Sequence, residues 1–532
     1  MLKNFTDQGS FYDAEYLCQQ LISPDSFYRK FKEIVAPLIK DEDFDAMYCQ
    51  DNGRPPISPS LMAMATILQF YRGFSDREME TACMFDLQIK YALGLKLDER
   101  PFDHSSLGNF RERMLKNGRE KEVFDRILSH LIEAGLVKRD EIQRIDATHI
   151  IADIAIPTVV TLVKKGIFNI LKPLKNRQKG KWDEIAKEIN IAEYSKATVN
   201  QEMPGRMDME KRKKKLVEVV GEAKKVLERS KEFKADAVIK GRIDGLRRIL
   251  RENIKDGDDG MPSERDYKDK PKDIMVSPID PDARYGAKSK TKRFMGYKAQ
   301  VTESVEGHFI TNIMAMRGNV PDGDTAVAAI VEQRQQGLVP AKVIGDTAYG
   351  DGTNRKSLKE NGTEMVAPLR TTNTRTRAVF PKSMFQYDEK VETLTCPQGV
   401  TTKAAYMDWQ KDIKMFHFPV TKCGVCPVQK QCTNDKDGRR TVGISKFNAE
   451  LRAAEIYNKS DGFKRDMRMR PMIEGKLSEL KRYHGLTRAK YRGLRKMGLQ
   501  CYFTAAAVNI KRWIKLALPG KAGPPGLVVA GV

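Results

Sequence analysis

The chain lacks any apolar run approaching the roughly 20 residues that a membrane-spanning helix needs, which excludes a transmembrane segment of that kind. Its opening residues, MLKNFTDQGSFYDAEYL, lack the basic-then-apolar pattern of a secretory signal, so a cytoplasmic, nucleoid-associated protein is expected. Cysteine is sparse, at eight of 532 residues. In a reducing compartment such thiols stay free or ligate metal rather than pair as disulfides. Acid is short relative to base: 71 Asp plus Glu face 94 Lys plus Arg, leaving a formal charge of +23. That excess makes nucleic acid the first partner to consider, because each cation that neutralises a phosphate releases a condensed counterion. What is present is globular in composition, and the chain is too long for one compact core, so about two to four domains are expected.

Residues 1–120 read as a helical domain able to contact DNA. Ser58-Pro59 is a cap followed by proline at the first helical position, Gly73 stops that helix, and Ser75 with Glu78 forms a capping box for the next. Another helix follows FDHSS, with His104 hydrogen-bonding locally at its start. RIDATHIIADI, at 144–154, reads as a buried strand with Asp146 in its middle. A basic helical insertion spans 157–275 and includes KRKKK at 211–215, a solvated face or a DNA-tracking surface. FMGYKAQVTESV and FITNIMAM, joined by EGH, predict a hairpin. A helix over 325–336 follows, with Asp324 as its cap, and KVIGDTAYGD is a short strand ending at Asp346. Residues 371–445 read as an irregular Cys-rich insertion, 446–515 as helical, and 516–532 as a frayed tail.

Asp146 interrupts an apolar, β-branched run, where an unpaired carboxylate is costly to bury. Asp346 sits where a strand meets a glycine-containing loop. Either alone is most simply a salt bridge or a turn cap. Two in comparable settings within a basic chain point to metal. Transfer of a DNA phosphoryl group suits two Mg²⁺ (or Mn²⁺) ions, which take hard oxygen ligands from carboxylates on separate elements.

Several segments resemble bacterial insertion-sequence DDE transposases. ILQFYRGFSDREMETACMFDLQIKYALGL with FDHSSLGNFRERM resembles their N-terminal domain, and RIDATHI their first-aspartate strand. DPDARYGAKSKTKRFMGYKAQV resembles the second strand with its basic approach, VIGDTAYGDGTN the second-aspartate strand, and RPMIEGKLSELKRYHGLTRAKYRGL the glutamate helix. The resemblance runs in the family's order from about residue 40 to 515. It implies a mixed α/β, ribonuclease H-like (retroviral integrase-like) core over 140–370, completed by the helical part at 446–515, with the 200-residue gap between the aspartates filled mostly by the basic insertion.

By the same resemblance Asp146, Asp346 and Glu474 are the catalytic, Mg²⁺-binding acids, with Glu479 the runner-up third acid. The family's tyrosine, arginine, glutamate and lysine signature is met at Arg470, Glu474 and Lys481, while Met467 stands at the tyrosine position. Arg470, Lys481, Lys298 and Arg293 are then expected to contact double-stranded DNA, both element ends and target. A homodimer or larger synaptic complex is implied, because two ends must be joined. The competing readings are a transposase-derived DNA-binding regulator that no longer cuts, and a ribonuclease H or nuclease of the same fold.

Cys423-Gly-Val-Cys426 has the gap that lets two thiolates grip one Zn²⁺, and Cys396 and Cys432 would complete a structural site, with His417 in reserve. Reduced thiols in a small loop domain are the alternative. Cys18, Cys49, Cys83 and Cys501 read as core residues. His149, three residues after Asp146 on one strand, is expected on the opposite face, and Tyr349 is a candidate contact for DNA or substrate water.

Overall fold

The computed structural model describes residues 12–48, 56–154, 158–195, 198, 209–230, 236–257, 260–288, 291–370, 380–410 and 412–518. Cys49 and the tail from 519 onward lie outside them. The structure is mixed α/β, and no helix among the described residues is long and apolar enough to cross a membrane.

The N-terminal part is helical, and its ends follow from local chemistry. Ser58 accepts a hydrogen bond from Leu61 N to open the helix Pro59–Arg72, and Gly73, at φ 74°, closes it in a left-handed conformation that a side chain would resist. Ser75 and Glu78 then cap each other's backbone at the start of Asp76–Phe85. These helices do not form a free-standing body. Phe31, Leu68, Phe70 and Phe124 share one core with Val301 and Ile310 of the sheet and with Phe503 and Ile510 of the last helix, Leu494–Ala517. That last helix is buried nearly all round, from Met497 to Ile514, so it needs partners on both sides.

The strands in chain order are β1 (Gln143–Ile151), β2 (Ile254–Asp256), β3 (Pro262–Glu264), β4 (Arg284–Ala287), β5 (Arg293–Ser304), β6 (Ile310–Arg317), β7 (Lys342–Ile344) and β8 (Glu364–Val366). β2 and β3 form a separate two-stranded ribbon. In the main sheet β5 runs antiparallel to β1, β4 and β6, whereas β7 lies parallel to β1, and β8 parallel to β7. Parallel neighbours need crossovers, supplied here by the helices Ala326–Glu332 and Gly352–Glu360. They bury Ala326, Ala329 and Leu358 against Ile145, Val343 and Met365. The sheet is thus covered on both faces. β5 passes so close to the end of β1 that only glycine fits at 296: its φ is 146°, and a Cβ there would meet Ile150 O at 2.2 Å.

The basic insertion forms helices Val159–Arg177, Lys179–Glu188, Met209–Arg229 and Ala237–Asn253 around its own core, which includes Val163, Ile167, Val220, Ala223 and Leu246. Residues 211–214 are exposed on it. Two expectations fail. Asp324 does not cap a helix; the chain passes through a 3₁₀ turn, Asp322–Thr325, before Ala326–Glu332 begins. The Cys-rich segment is not irregular but contains two three-stranded antiparallel sheets around Phe385, Leu394, Phe416 and Val442.

One buried ion pair joins the layers. Arg144 and Glu303 face each other across β1 and β5, both without solvent access, with Nη2 and Oε2 at 3.0 Å. Arg144 Nη1 also donates to Met469 O at 3.0 Å. Removing one partner strands the other's charge, so Arg144→Met is expected to destabilise the protein by about 3–5 kcal/mol in urea unfolding, while Arg144→Met combined with Glu303→Leu should recover most of the loss. A single variant no less stable than wild type would contradict this.

Candidate active site

Asp146 lies mid-β1, and its side chain is 15% exposed. Asp346 lies two residues past the end of β7, 41% exposed, with Oδ1 accepting from Ala348 N at 2.7 Å. β1 and β7 are hydrogen-bonded neighbours, with Gln143 opposite Val343, so the sheet itself brings the two aspartates together. Glu474 stands in the first turn of the helix Met472–Arg482, immediately after Pro471, and is 67% exposed.

That helix is tied to β1 at both ends. Ahead of it, Arg144 holds Met469 O; behind it, Thr487 O accepts from Ile151 N at 3.0 Å and Ala489 N donates to Ile151 O at 2.8 Å. Between the ties sits Arg470. Its Nη2 is 3.3 Å from Asp146 Oδ2 and 4.0 Å from Asp346 Oδ2, and its Nη1 is 3.9 Å from Glu474 Oε1. One guanidinium therefore reaches all three acids named from the sequence.

The charge is not balanced. Burial pushes the Asp146 carboxyl up to about 6; Ala147 N–H and Arg470 oppose this, and the nearby carboxylates of Asp346 and Asp322 add to it. A site that still carries excess negative charge beside an arginine, built from hard oxygen donors on separate elements, suits a divalent cation. Asp322 is the residue that sequence reasoning missed. It lines the same cleft as Asp146 and Glu474, and Lys298 Nζ holds it at 2.7 Å while also donating to Val320 O at 2.8 Å. Lys298 is thus bound inward, whereas Arg293 is exposed at the start of β5. The turn that carries Asp322 packs closely on the loop after Asp346: a Cβ on Gly323 would meet the Ala348 carbonyl oxygen at 2.3 Å.

Lys481, two turns after Glu474, lines the cleft with it. Its Nζ lies 3.4 Å from His149 Nε2, and burial together with Lys288 holds its pKa below the usual lysine range. His149 therefore reaches the cleft from the end of β1, but its neighbours are Lys481 and the Phe294 ring rather than the acids. Tyr349 is fully buried, with no hydrogen-bond partner for its hydroxyl, and packs beside Ile145 and Ala326, so it does not face DNA. Glu479 accepts from Lys511 and Lys476 and takes no part in the acidic group. Among the described residues, the three metal-type side chains with ligand atoms within 4.8 Å of one another are Glu80, Asp103 and His104. They make a structural knot: Glu80 accepts from Arg100 Nη2 at 2.8 Å and from His104 N at 3.1 Å, and its other contact is His104 Nδ1. His104 Nδ1 also lies 3.3 Å from Asp103 Oδ2, so His104 is engaged both locally and with the helix Asp76–Phe85. Cys18, Cys83 and Cys501 are buried, and Cys396, Cys423, Cys426 and Cys432 gather around one small cavity remote from the acids.

Residues 395–514 match the family described as the transposase DDE domain, and residues 17–113 match a transposase domain (DUF772). No curated protein and no solved structure matches the chain. The two matches lie towards opposite ends of the chain. The two matches support its recognition as an insertion-sequence transposase of the DDE type. The first match contains Arg470, Glu474 and Lys481; Asp146 and Asp346 lie outside both.

The raised Asp146 carboxyl has a stability consequence of definite sign. Its folded pKa, about 6, exceeds the unfolded value near 3.9, so its favourable contribution is complete below pH ~4 and is lost as pH rises through 6. In chelator-treated protein, Asp146→Asn should gain stability over wild type with rising pH, by about 1–3 kcal/mol at pH 8 and nothing at pH 4. Denaturant titrations at several pH values measure it, and a pH-independent difference would refute it.

Proposed function

We propose that the chain binds the ends of its mobile element and catalyses divalent-metal-dependent cleavage and transfer of DNA strands, on a ribonuclease H-like core. The observation that carries this is the convergence of Asp146, Asp346 and Glu474, from three distant segments, on Arg470 at the edge of an open cleft walled by Lys288, Lys481 and Arg482. The fold reading is supported by the antiparallel β5–β6 hairpin on one side of β1 and the parallel β7 and β8 on the other.

Asp146, on β1, and Asp346, in the loop just past the neighbouring β7, would hold the metal, with Glu474 reaching in from the helix. Two Mg²⁺ or Mn²⁺ ions bound there would supply activation of the attacking oxygen and stabilisation of the leaving 3′ oxygen. Lys481, which lines the cleft beside Glu474, would bind a DNA phosphate, and Arg470, once displaced from the acids by metal, would turn to the same phosphate. Water serves as the first nucleophile and a DNA 3′ hydroxyl as the second, so no covalent link to the protein is needed. Joining two ends calls for at least two copies of the chain in the working complex. A silent DNA-binding regulator is the second reading, and the intact set of acids counts against it.

With DNA carrying the element ends, wild type is expected to cleave at the boundary only when Mg²⁺ or Mn²⁺ is present, and Asp346→Asn to bind the same DNA without cutting it. Binding without cleavage by both proteins would favour the regulator, and equal cleavage by both would misplace the site. Lys481→Ala should weaken binding to all sequences alike and reduce the salt dependence of log K by about one phosphate contact. An unchanged slope would remove Lys481 from the DNA interface.

A further inference from the structure

The Cys-rich segment has little apolar material of its own: its buried core is Phe385, Leu394, Phe416, Phe418, Val442 and Ile444. Modules this small usually need a cross-link or a metal to hold their shape. Its four cysteines, all free thiols, line one cavity of about 40 Å³, space enough for a single ion or water. They arrive from three places in the chain. Cys396 follows the strand Thr393–Thr395 in a turn closed by Gly399 N donating to Cys396 O at 2.9 Å, with Gly399 at φ 77°. Cys423 and Cys426 flank the end of the helix Val420–Gly424, where Cys426 N donates to Cys423 O at 3.2 Å. Cys432 ends the helix Gln429–Cys432. His417 is not part of the lining, and neither is any carboxylate.

We infer that these four thiolates hold one structural Zn²⁺. Thiols serving only as apolar filler would close the space between them, whereas here they surround it. A four-thiolate zinc site carries two net negative charges, and the cavity wall supplies two cations, Lys422 and Arg440. Arg440 is fixed there by donating to Cys432 O and Phe380 O, both at 2.9 Å. No three of the sulfurs lie within 4.8 Å of one another. Tetrahedral Zn–S bonds of about 2.3 Å place sulfurs about 3.8 Å apart, so the ion draws the turn of Cys396 and the two short helices inward. With four protein ligands the site is closed, and its role is to brace. The module it braces is tied to the helix Asn448–Tyr457, since Arg452 Nη2 donates to Lys382 O at 2.7 Å and to Phe385 O at 3.0 Å. It shares no lining residue with the acidic cleft, so the inference stands apart from the proposed catalysis.

The test is metal analysis of the full-length protein purified from zinc-supplemented cells and dialysed against Mg²⁺. One zinc per chain is expected in wild type and equally in Asp346→Asn, and none in Cys423→Ser combined with Cys426→Ser. Refolding with Co²⁺ should give the visible absorption of tetrahedral cobalt–thiolate, and zinc removal should lower the melting temperature. Should the double variant fail to fold, thiol reactivity of folded wild type decides: the four cysteines are expected to resist alkylation until a zinc chelator is added. Zinc well below one per chain, or alkylation indifferent to chelator, would overturn the site.

Discussion

Arg144 and Glu303 pair across neighbouring strands without access to solvent, and the same guanidinium holds the carbonyl of Met469 at the joint between two helices. Because Arg144 and Asp146 are two residues apart on β1, they project from the same face of the sheet. Whatever fixes Arg144 to Met469 therefore fixes Arg470 over Asp146. Lys476 adds a second cation, 4.0 Å from Glu303, on the inward side of the glutamate helix. A buried pair is a weak source of net stability, but it specifies which helix lies on which strand. The far end of that helix is held by backbone pairing to Ile151, so both its height and its direction over β1 are set.

The second aspartate is held by different means. Asp346 belongs to a loop, yet Arg355, largely buried in the next helix, donates to Gly350 O, Met365 O and Ala367 O. That ties the loop after Asp346 to the end of β8. From the other side the 3₁₀ turn carrying Asp322 packs directly on Ala348, and Asn354 Nδ2 donates to Gly323 O at 2.9 Å. One acid is thus set by a strand, one by a braced loop and one by an anchored helix, while Glu474 keeps the greatest exposure. Rigid support on two sides and an accessible third group suit the proposed reading, in which the cleft admits a thick, charged polymer.

Much of this was legible in the chain. Caps such as Ser58, Ser75 with Glu78, and Gly73 act within one turn of backbone, so they could be read directly. Asp146 stood out because it interrupts a β-branched strand, whereas Glu474 was named through the family's arginine, glutamate and lysine spacing, met at Arg470, Glu474 and Lys481. The pairings that unite them, Arg144 with Glu303 or Lys298 with Asp322, span more than 20 residues and leave no local pattern. Asp322 was not singled out in the sequence for that reason. The small strands of the Cys-rich module, two to five residues long, were too short to show an alternation. The N-terminal helices looked separable because amphipathicity shows that a face is buried, not against what; the buried length of Leu494–Ala517 supplies the answer.

Arg470 poses the remaining physical question, since a cation among the acids would compete with metal. Its contacts, at 3.3, 3.9 and 4.0 Å, are all longer than the 2.7–2.9 Å typical of charge-assisted hydrogen bonds. A single delocalised charge spread over three carboxylates is a loose counter-ion, and the raised Asp146 carboxyl registers how incompletely it neutralises them. On the proposed reading, a Mg²⁺ ion binding oxygen at about 2.0–2.1 Å with twice the charge would win that competition on distance and valence together. The arginine lowers the cost of gathering three acids in one place. On the proposed reading, once displaced it remains anchored by the joint at Met469, within reach of the cleft where a scissile phosphate would lie. Preorganising the acids and recognising the phosphate are then successive uses of one side chain.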